Sequence, residues 1–207
     1  MRSSALFSEL DANGFRDVLD QLIAVYAAAM RPEPGQLIGR RAIMERHAGY
    51  PDFRGLVVSA ERGGPVIAFT YGFRGAAGQW WHDVVAAGIS AAWGSQFAAA
   101  WLRNALEIAE VHVHPDQQGH GIGRNMLPML TAGRREGTAV LSTRDADTPA
   151  RRLYRGLGFS DLLTGYGFPG DSPPYAVMGA VLPLRDSPRS PVPDSDTPPW
   201  PTPPSGS

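Results

Sequence analysis

The sequence contains no cysteine and no lysine; all 19 of its basic residues are arginine. The first absence excludes disulfides, thiolate nucleophiles and cysteine-held zinc. The second excludes Schiff-base chemistry and the GxxxxGK[ST] nucleotide loop. Excess charge is missing too. A formal net charge of −1 over 207 residues, with no basic run, leaves no electrostatic footprint for nucleic acid or for an anionic membrane surface. The opening MRSSALFSELDANG lacks the apolar core of a signal peptide, so the expected compartment is the cytoplasm. One uncharged run, Val84 to Leu102, approaches the length of a membrane span. Alanine, glycine, serine and glutamine dominate it, so it reads instead as one or two helices of a folded domain.

What is present is 43% hydrophobic residues in a regular pattern, enough for one globular domain with a sizeable core. Phe15, Val18, Leu19, Leu22, Ile23, Tyr26 and Met30 fall at helical spacing and predict an amphipathic helix capped by Asn13. A weaker helix follows over Gln36 to His47. RGLVVSAER and PVIAFTYGF read as a hairpin about Gly63 and Gly64. NALEIAEVHVHP is then a strand, GIGRNMLPMLTAGRR a helix that contains Pro128, and GTAVLST a short buried strand. DADTPARRLYRGLGF is a short helix capped by Asp147, and strands over 160–168 and 175–182 complete the pattern. Nine of the 19 prolines fall in the last 25 residues. The expectation is therefore one mixed-sheet α/β domain over 1–184, with a helical insertion at about 76–103 and a disordered Pro/Ser-rich tail over 185–207.

Residues 111–127, VHVHPDQQGHGIGRNML, admit two chemistries. His112, His114 and Asp116 form HxHxD, which on an extended strand presents both imidazoles to one face, ready to share a cation. Further ligands are missing, because position 117 is Gln and the chain has only five histidines, none after position 120. No metal is expected. A dinucleotide fold fails on spacing: Gly119, Gly121 and Gly123 give GxGxG, and no acidic residue ends GTAVLST. QxxGxG at a strand-to-helix junction can instead gather backbone N–H groups into a concavity that fits a pyrophosphate. A turn that simply needs glycine accounts for the same residues, so the motif alone leaves both readings open.

Followed by ADTPARRLYRGLGF, this block resembles the GNAT superfamily of acetyl-CoA-dependent N-acetyltransferases. The first block has the family's strand, [QR]xxGx[GA] loop and helix, and the second its short helix ending in LYxxxGF, in the right order with one strand between. The resemblance covers roughly residues 5–184 and is weakest in the insertion. It implies a mixed, twisted central sheet flanked by helices, with fourth and fifth strands that splay apart around acetyl-CoA. Backbone groups of Val111, His112 and Val113 should pair with the pantetheine and the acetyl carbonyl. Gln118, Gly119, His120, Gly121, Ile122, Gly123, Arg124 and Asn125 should cradle the pyrophosphate, and Asp147 stands where many members place an asparagine near the cofactor.

The resemblance also assigns chemistry. Acetyl transfer to an amine needs a neutral nucleophile and a proton for the departing thiolate. Tyr154, at the LY position, is the expected proton donor. Glu107 matches the strand glutamate that some relatives use as base, Glu110 is the reserve, and water is the third choice. Without cysteine an acetyl-cysteine intermediate is excluded, which leaves direct transfer in a ternary complex. Trp80, Trp81 and His82, with Trp93, Phe97 and Trp101 beyond them, offer aromatic surface for an apolar or cationic amine. Ser142 stands where the branch that acetylates ribosomal-protein N-termini often carries glutamate, which favours a small-molecule amine over a protein. A second copy of the chain is the other expected partner, and a non-catalytic acyl-CoA sensor with the same fold is the alternative function.

Overall fold

The computed structural model describes residues 5–33, 35–170 and 173–184. Among them lie seven strands in one open mixed sheet, ordered β1-β2-β3-β4-β5-β7-β6, and seven helices. The strands are β1 (Leu6–Leu10), β2 (Arg54–Ser59), β3 (Val66–Arg74), β4 (Ala105–Val113), β5 (Thr138–Arg144), β6 (Ser160–Tyr166) and β7 (Tyr175–Val181). The helices are α1 (Ala12–Asp17), α2 (Leu19–Met30), α3 (Gln36–His47), α4 (Trp80–Trp93), α5 (Ser95–Leu102), α6 (Ile122–Thr131) and α7 (Pro149–Gly156). The expected tail over 185–207 lies outside the described residues. Among the described residues no helix is long and apolar enough to cross a membrane.

Three local expectations need correction. The sequence pattern did not foresee β1, whose mostly exposed LFSEL lacks the alternation that marks a half-buried strand. It is an edge strand, held by antiparallel pairing to β2 from Leu6–Ser59 to Leu10–Gly55. Asp11, rather than Asn13, caps α1, accepting from the amides of Asn13 (3.1 Å) and Gly14 (2.8 Å), and the helix breaks at Val18 before α2 begins. Thr148, rather than Asp147, caps α7: its hydroxyl accepts from the Arg151 amide at 3.1 Å, with Pro149 in the first turn.

Helices cover both faces of the sheet. On one face α1 to α3 bury Phe15, Leu22 and Met44 against Phe69, Tyr71 and Phe73 of β3. On the same face α4 and α5 bury Val85, Ile89, Trp101 and Leu102 against Val140, Leu162 and Val177 of β5, β6 and β7. The opposite face carries α6 and α7, which enclose Leu106, Ile108, Leu141 and Met178 with Leu127, Leu130 and Tyr154. The helix α6 runs unbroken through Pro128.

Two irregularities in β4 matter for the site. Its only pairing with β5 is parallel and three residues long, Ala105–Thr138 to Glu107–Val140, whereas β3 stays paired to it as far as Val113 and β7 stays paired to β5 as far as Arg144. Beyond the Glu107–Val140 rung the two strands therefore splay, as the resemblance implied. The second irregularity is a bulge: Tyr71 faces Glu110 and Gly72 faces Ile108, which leaves Ala109 without a partner. Regular alternation would send residues 107 and 110 to opposite faces, and the extra residue returns both to the face under α1 to α5. Only glycine fits opposite the bulge, because a Cβ at Gly72 would stand 2.6 Å from the Glu107 carbonyl oxygen and 2.9 Å from Leu106 Cδ1. Gly72→Ala should cost about 1–3 kcal/mol, as overpacking generally does, and should lower the denaturant midpoint at unchanged m-value; an unshifted midpoint would refute it.

Candidate active site

The splayed edge of β4 leads directly into the glycine loop. His114 donates its amide to Ile67 of β3 (2.8 Å), so by alternation the amides of Val111 and Val113 point away from β3, into the gap. Gln118 already reaches that edge, donating from its side-chain amide to the Val113 carbonyl at 3.0 Å. Between them lies a 3-10 turn over Pro115–Gln117, whose first amide free of the ladder, that of Asp116, meets the His114 ring at 3.4 Å. Gly119 and Gly121 then take φ of +79° and +78°, where a side chain would be strained, and among the described residues nothing lies within 4 Å of where their Cβ would stand. Among the described residues no side chain caps α6, whose first intrahelical bond is from Asn125 N–H to Gly121 C=O, so the amides of Ile122 and Gly123 precede the ladder. Such a turn attracts an anion.

Around this loop Gln118, Gly119, His120, Gly121, Arg124 and Asn125 are exposed. Ile122 is buried beside Ala68 and Met126, and Gly123 lets α7 approach, since its Cβ would stand 3.1 Å from Leu153. Asp147 is at the surface and pairs with Arg152 at 2.8 Å. The two imidazoles of HxHxD do different things: His112 is buried, with Nε2 2.5 Å from Glu110, and His114 is engaged at the 3-10 turn. Among the described residues no three His, Asp or Glu converge in a way that could hold a metal.

The two carboxyls on β4 share a face and differ in state. Glu107 sits on the last rung before the splay, 4% exposed, with Oε2 lacking a hydrogen-bond partner among the described residues. Burial alone lifts its pKa to about 8. Glu110 is equally buried, and desolvation would raise its pKa as well. The His112 hydrogen bond and the charges of His112, Arg40 and His47 outweigh that effect and hold it below the usual carboxylate range. Arg40 reaches down from α3 to Glu110 Oε1 at 2.7 Å and lies 4.9 Å over the Tyr26 ring, while Tyr71 places its hydroxyl 3.1 Å from His47 Nδ1. Arg40, His47 and Tyr71 were not singled out from sequence; Arg40 lies 70 residues from its partner, and no motif links them.

Tyr154 lies on the opposite face, in the cluster that contains Leu106 and Ile108, the residues on either side of Glu107. Burial, with a contribution from the Glu110 charge, pushes its phenol well above the ordinary tyrosine range, so it stays protonated. Arg151, buried one turn earlier, anchors α7 by pairing with Asp145 and, at 2.8 Å, with Asp161.

The insertion aromatics separate. Trp80 is 57% exposed and meets Phe168 at 6.0 Å between ring centroids. Trp81 is half-buried and donates to the Ser142 hydroxyl at 3.1 Å, and His82 lies beside Gly75 and Asp83. Trp93 and Trp101 belong to packing, since Trp93 donates to the Leu162 carbonyl at 2.8 Å and Trp101 is buried against Gly179. Phe97 packs between them.

Comparison with known proteins follows the same outline. The family model described as the acetyltransferase (GNAT) domain matches residues 54–161. A GCN5-like protein acetyltransferase of Mycobacterium tuberculosis (strain ATCC 25618 / H37Rv) is 40% identical over 124 residues, 58% of this chain and 60% of that protein, so the match spans less than two thirds of the relative's length. Among solved structures, the ribosomal-protein-S18-alanine N-acetyltransferase of Escherichia coli aligns at a TM-score of 0.58 and 16% identity, over 86% of this chain and 94% of that one. A Salmonella typhimurium protein described as an acetyltransferase with its cofactor acetyl-CoA aligns at 0.55 and 20% identity, over 94% and 100%. At these identities the solved structures share the fold.

The state of Glu107 makes stability depend on pH with a definite sign. Between the ordinary value of 4.5 and about 8 the folded chain holds a proton at Glu107 that the unfolded chain has lost, so this group's contribution to stability falls as pH rises through that window. Glu107→Gln removes the term. Its melting temperature minus that of the wild type should climb from pH 4.5 to 8 and then level off; a difference flat across the window would show that the carboxyl is ionised in the folded state.

Proposed function

The chain belongs to the GNAT family of acetyl-CoA-dependent acyltransferases, and on that premise we propose that it carries an acetyl group from acetyl-CoA to a primary amine by direct transfer in a ternary complex. One observation carries the catalytic part of this reading. The Glu107 carboxyl is buried at the apex of the β4–β5 splay with an unpartnered oxygen and a pKa of about 8, suited to exchanging a proton near neutral pH. A solvated strand glutamate would be fully ionised and a weak base.

The steps follow from the two faces of β4. Glu107 takes a proton from the ammonium acceptor, directly or through water, and the free amine forms its N–C bond to the thioester carbonyl. The C–S bond then breaks as the acceptor nitrogen releases its second proton to water, and Tyr154 supplies a proton to the departing thiolate from the opposite face and regains one from solvent. Val111 and Val113 turn amides toward the gap, Gly119 to Gly123 offer the pyrophosphate turn, and Asp147 is available at the far end of β5. Glu110, already paired with Arg40 and His112, is the poorer base and serves to hold the bulge. His82 and the Glu107 carboxyl converge at Gly75, and the start of α4, with Trp80, Trp81 and His82, is the proposed surface for the acceptor.

The acceptor expected from sequence is a small amine. The 40% identity to a protein acetyltransferase favours a second reading, an amine borne by a protein. The presence of both Glu107 and Tyr154 favours an enzyme over an acyl-CoA sensor. A panel of amines and amine-bearing peptides incubated with acetyl-CoA and assayed for free thiol decides among the three; cofactor binding without turnover selects the sensor.

Acetyl-CoA at about 100 times its Kd should stabilise the fold by about 2.7 kcal/mol. Gly121→Val, at φ +78°, should abolish that thermal shift. A wild-type chain that saturating acetyl-CoA leaves unshifted refutes the reading. In turnover, Tyr154→Phe should keep acetyl-CoA binding and lose roughly 10²- to 10⁴-fold in kcat at every pH. Glu107→Gln should be deficient near neutrality and partly recover as pH rises and the free-amine fraction of the acceptor grows. Full activity of Glu107→Gln with loss in Glu110→Gln would move the base to Glu110.

A further inference from the structure

The first turn of α4 lies across the fork in the sheet and touches both limbs. On the β5 side Trp81 Nε1–H donates to Ser142 Oγ at 3.1 Å. On the β4 side a Cβ at Gly75 would stand 3.4 Å from His82 Cδ2 and 3.8 Å from Glu107 Oε2, so the imidazole and the carboxyl converge at the foot of that strand. Ser142 is two residues beyond Val140, the partner of Glu107 in the last rung, and by alternation faces the same side. Trp81 therefore sits just past the apex, packed on the cluster that holds Val140 and Val177.

The helix that carries the indole is fixed. Tyr166 donates to the Val84 carbonyl at 2.9 Å, and its ring comes so close to Gly88 that a Cβ there would stand 2.6 Å away. Trp93 pins the other end to the Leu162 carbonyl at 2.8 Å. The opposite side of the apex is filled, since Leu106, Ile108 and Leu141 are at most 4% exposed. With that side filled, the acyl carbons of a thioester entering from the glycine loop would extend toward α4, where Trp81 stands.

We propose that Trp81, held in place by Ser142, gauges the acyl group of the donor and limits it to acetyl. The inference rests on the acyl-CoA reading above and deepens it by assigning donor selectivity to one side chain of the insertion. Rejecting each added methylene is generally a matter of about 10- to 200-fold.

The test is calorimetric titration of the full chain with CoA, acetyl-CoA, propionyl-CoA and butyryl-CoA, which needs no acceptor. Wild type should bind butyryl-CoA at least tenfold more weakly than acetyl-CoA. Trp81→Ala should erase that difference and leave the affinity for CoA itself unchanged. Ser142→Ala removes only a hydroxyl, frees the indole and should narrow the difference; it carries the test if Trp81→Ala does not fold. Equal affinities for all four in wild type, or an acetyl-to-butyryl ratio unchanged in both variants, overturns the gauge while leaving the acyl-CoA reading in place. No binding of any of the four overturns both.

Discussion

Everything distinctive about this molecule depends on β4 and β5 pairing for three residues and then parting. Parallel neighbours ordinarily satisfy each other's backbone along their length. Here each limb is instead held from outside, β4 by β3 and β5 by β7, so one row of amides and carbonyls on β4 is left for something other than a strand. The limbs stay apart because α6 and α7 fill one side with apolar side chains and α4 crosses the other. At the narrow end of the fork Glu107 is buried on one face of the sheet and Tyr154 packs in the cluster on the other.

The same strand shows how environment divides two identical side chains. Glu107 and Glu110 share a face through one unpaired residue, and both are desolvated. Glu110 has Arg40 and His112 at hydrogen-bond distance and is held as an anion. Glu107 has no such neighbour among the described residues and resists ionising. Burial penalises the charged form of both, and partners decide which of them overcomes it. That division is why the proposed base is the carboxyl at the apex and why the other reads as an anchor for the bulge.

The insertion shows the reverse division among aromatic residues. Six aromatic and imidazole side chains between 80 and 101 form one hydrophobic group in the sequence. In the fold, Trp93 and Trp101 seal α4 and α5 onto β6 and β7, Trp80 remains in solvent, and Trp81 and His82 reach the two limbs of the fork. Helical periodicity identifies these residues as amphipathic, and cannot say which of several apolar neighbours a given ring will meet.

The sequence by itself determined the strand–loop–helix of the glycine turn, the α3 boundaries, the hairpin of β2 and β3 and the LY helix. Each is encoded over a few neighbouring residues by periodicity, capping chemistry and the conformational freedom of glycine. Tyr154 and Glu107 became candidates through the resemblance to the family, one at its LY position and the other at its strand glutamate. The tertiary structure alone decided β1, whose edge pairing needs a partner 45 or more residues away; the cap residues Asp11 and Thr148, chosen by backbone geometry among several eligible side chains; and the bulge at Ala109, which depends on Gly72 across the ladder. It alone decided the charge states of Glu107 and Glu110 as well, because a carboxyl's pKa is set by what surrounds it in space, and Arg40 reaches Glu110 from a helix that the chain order keeps far away.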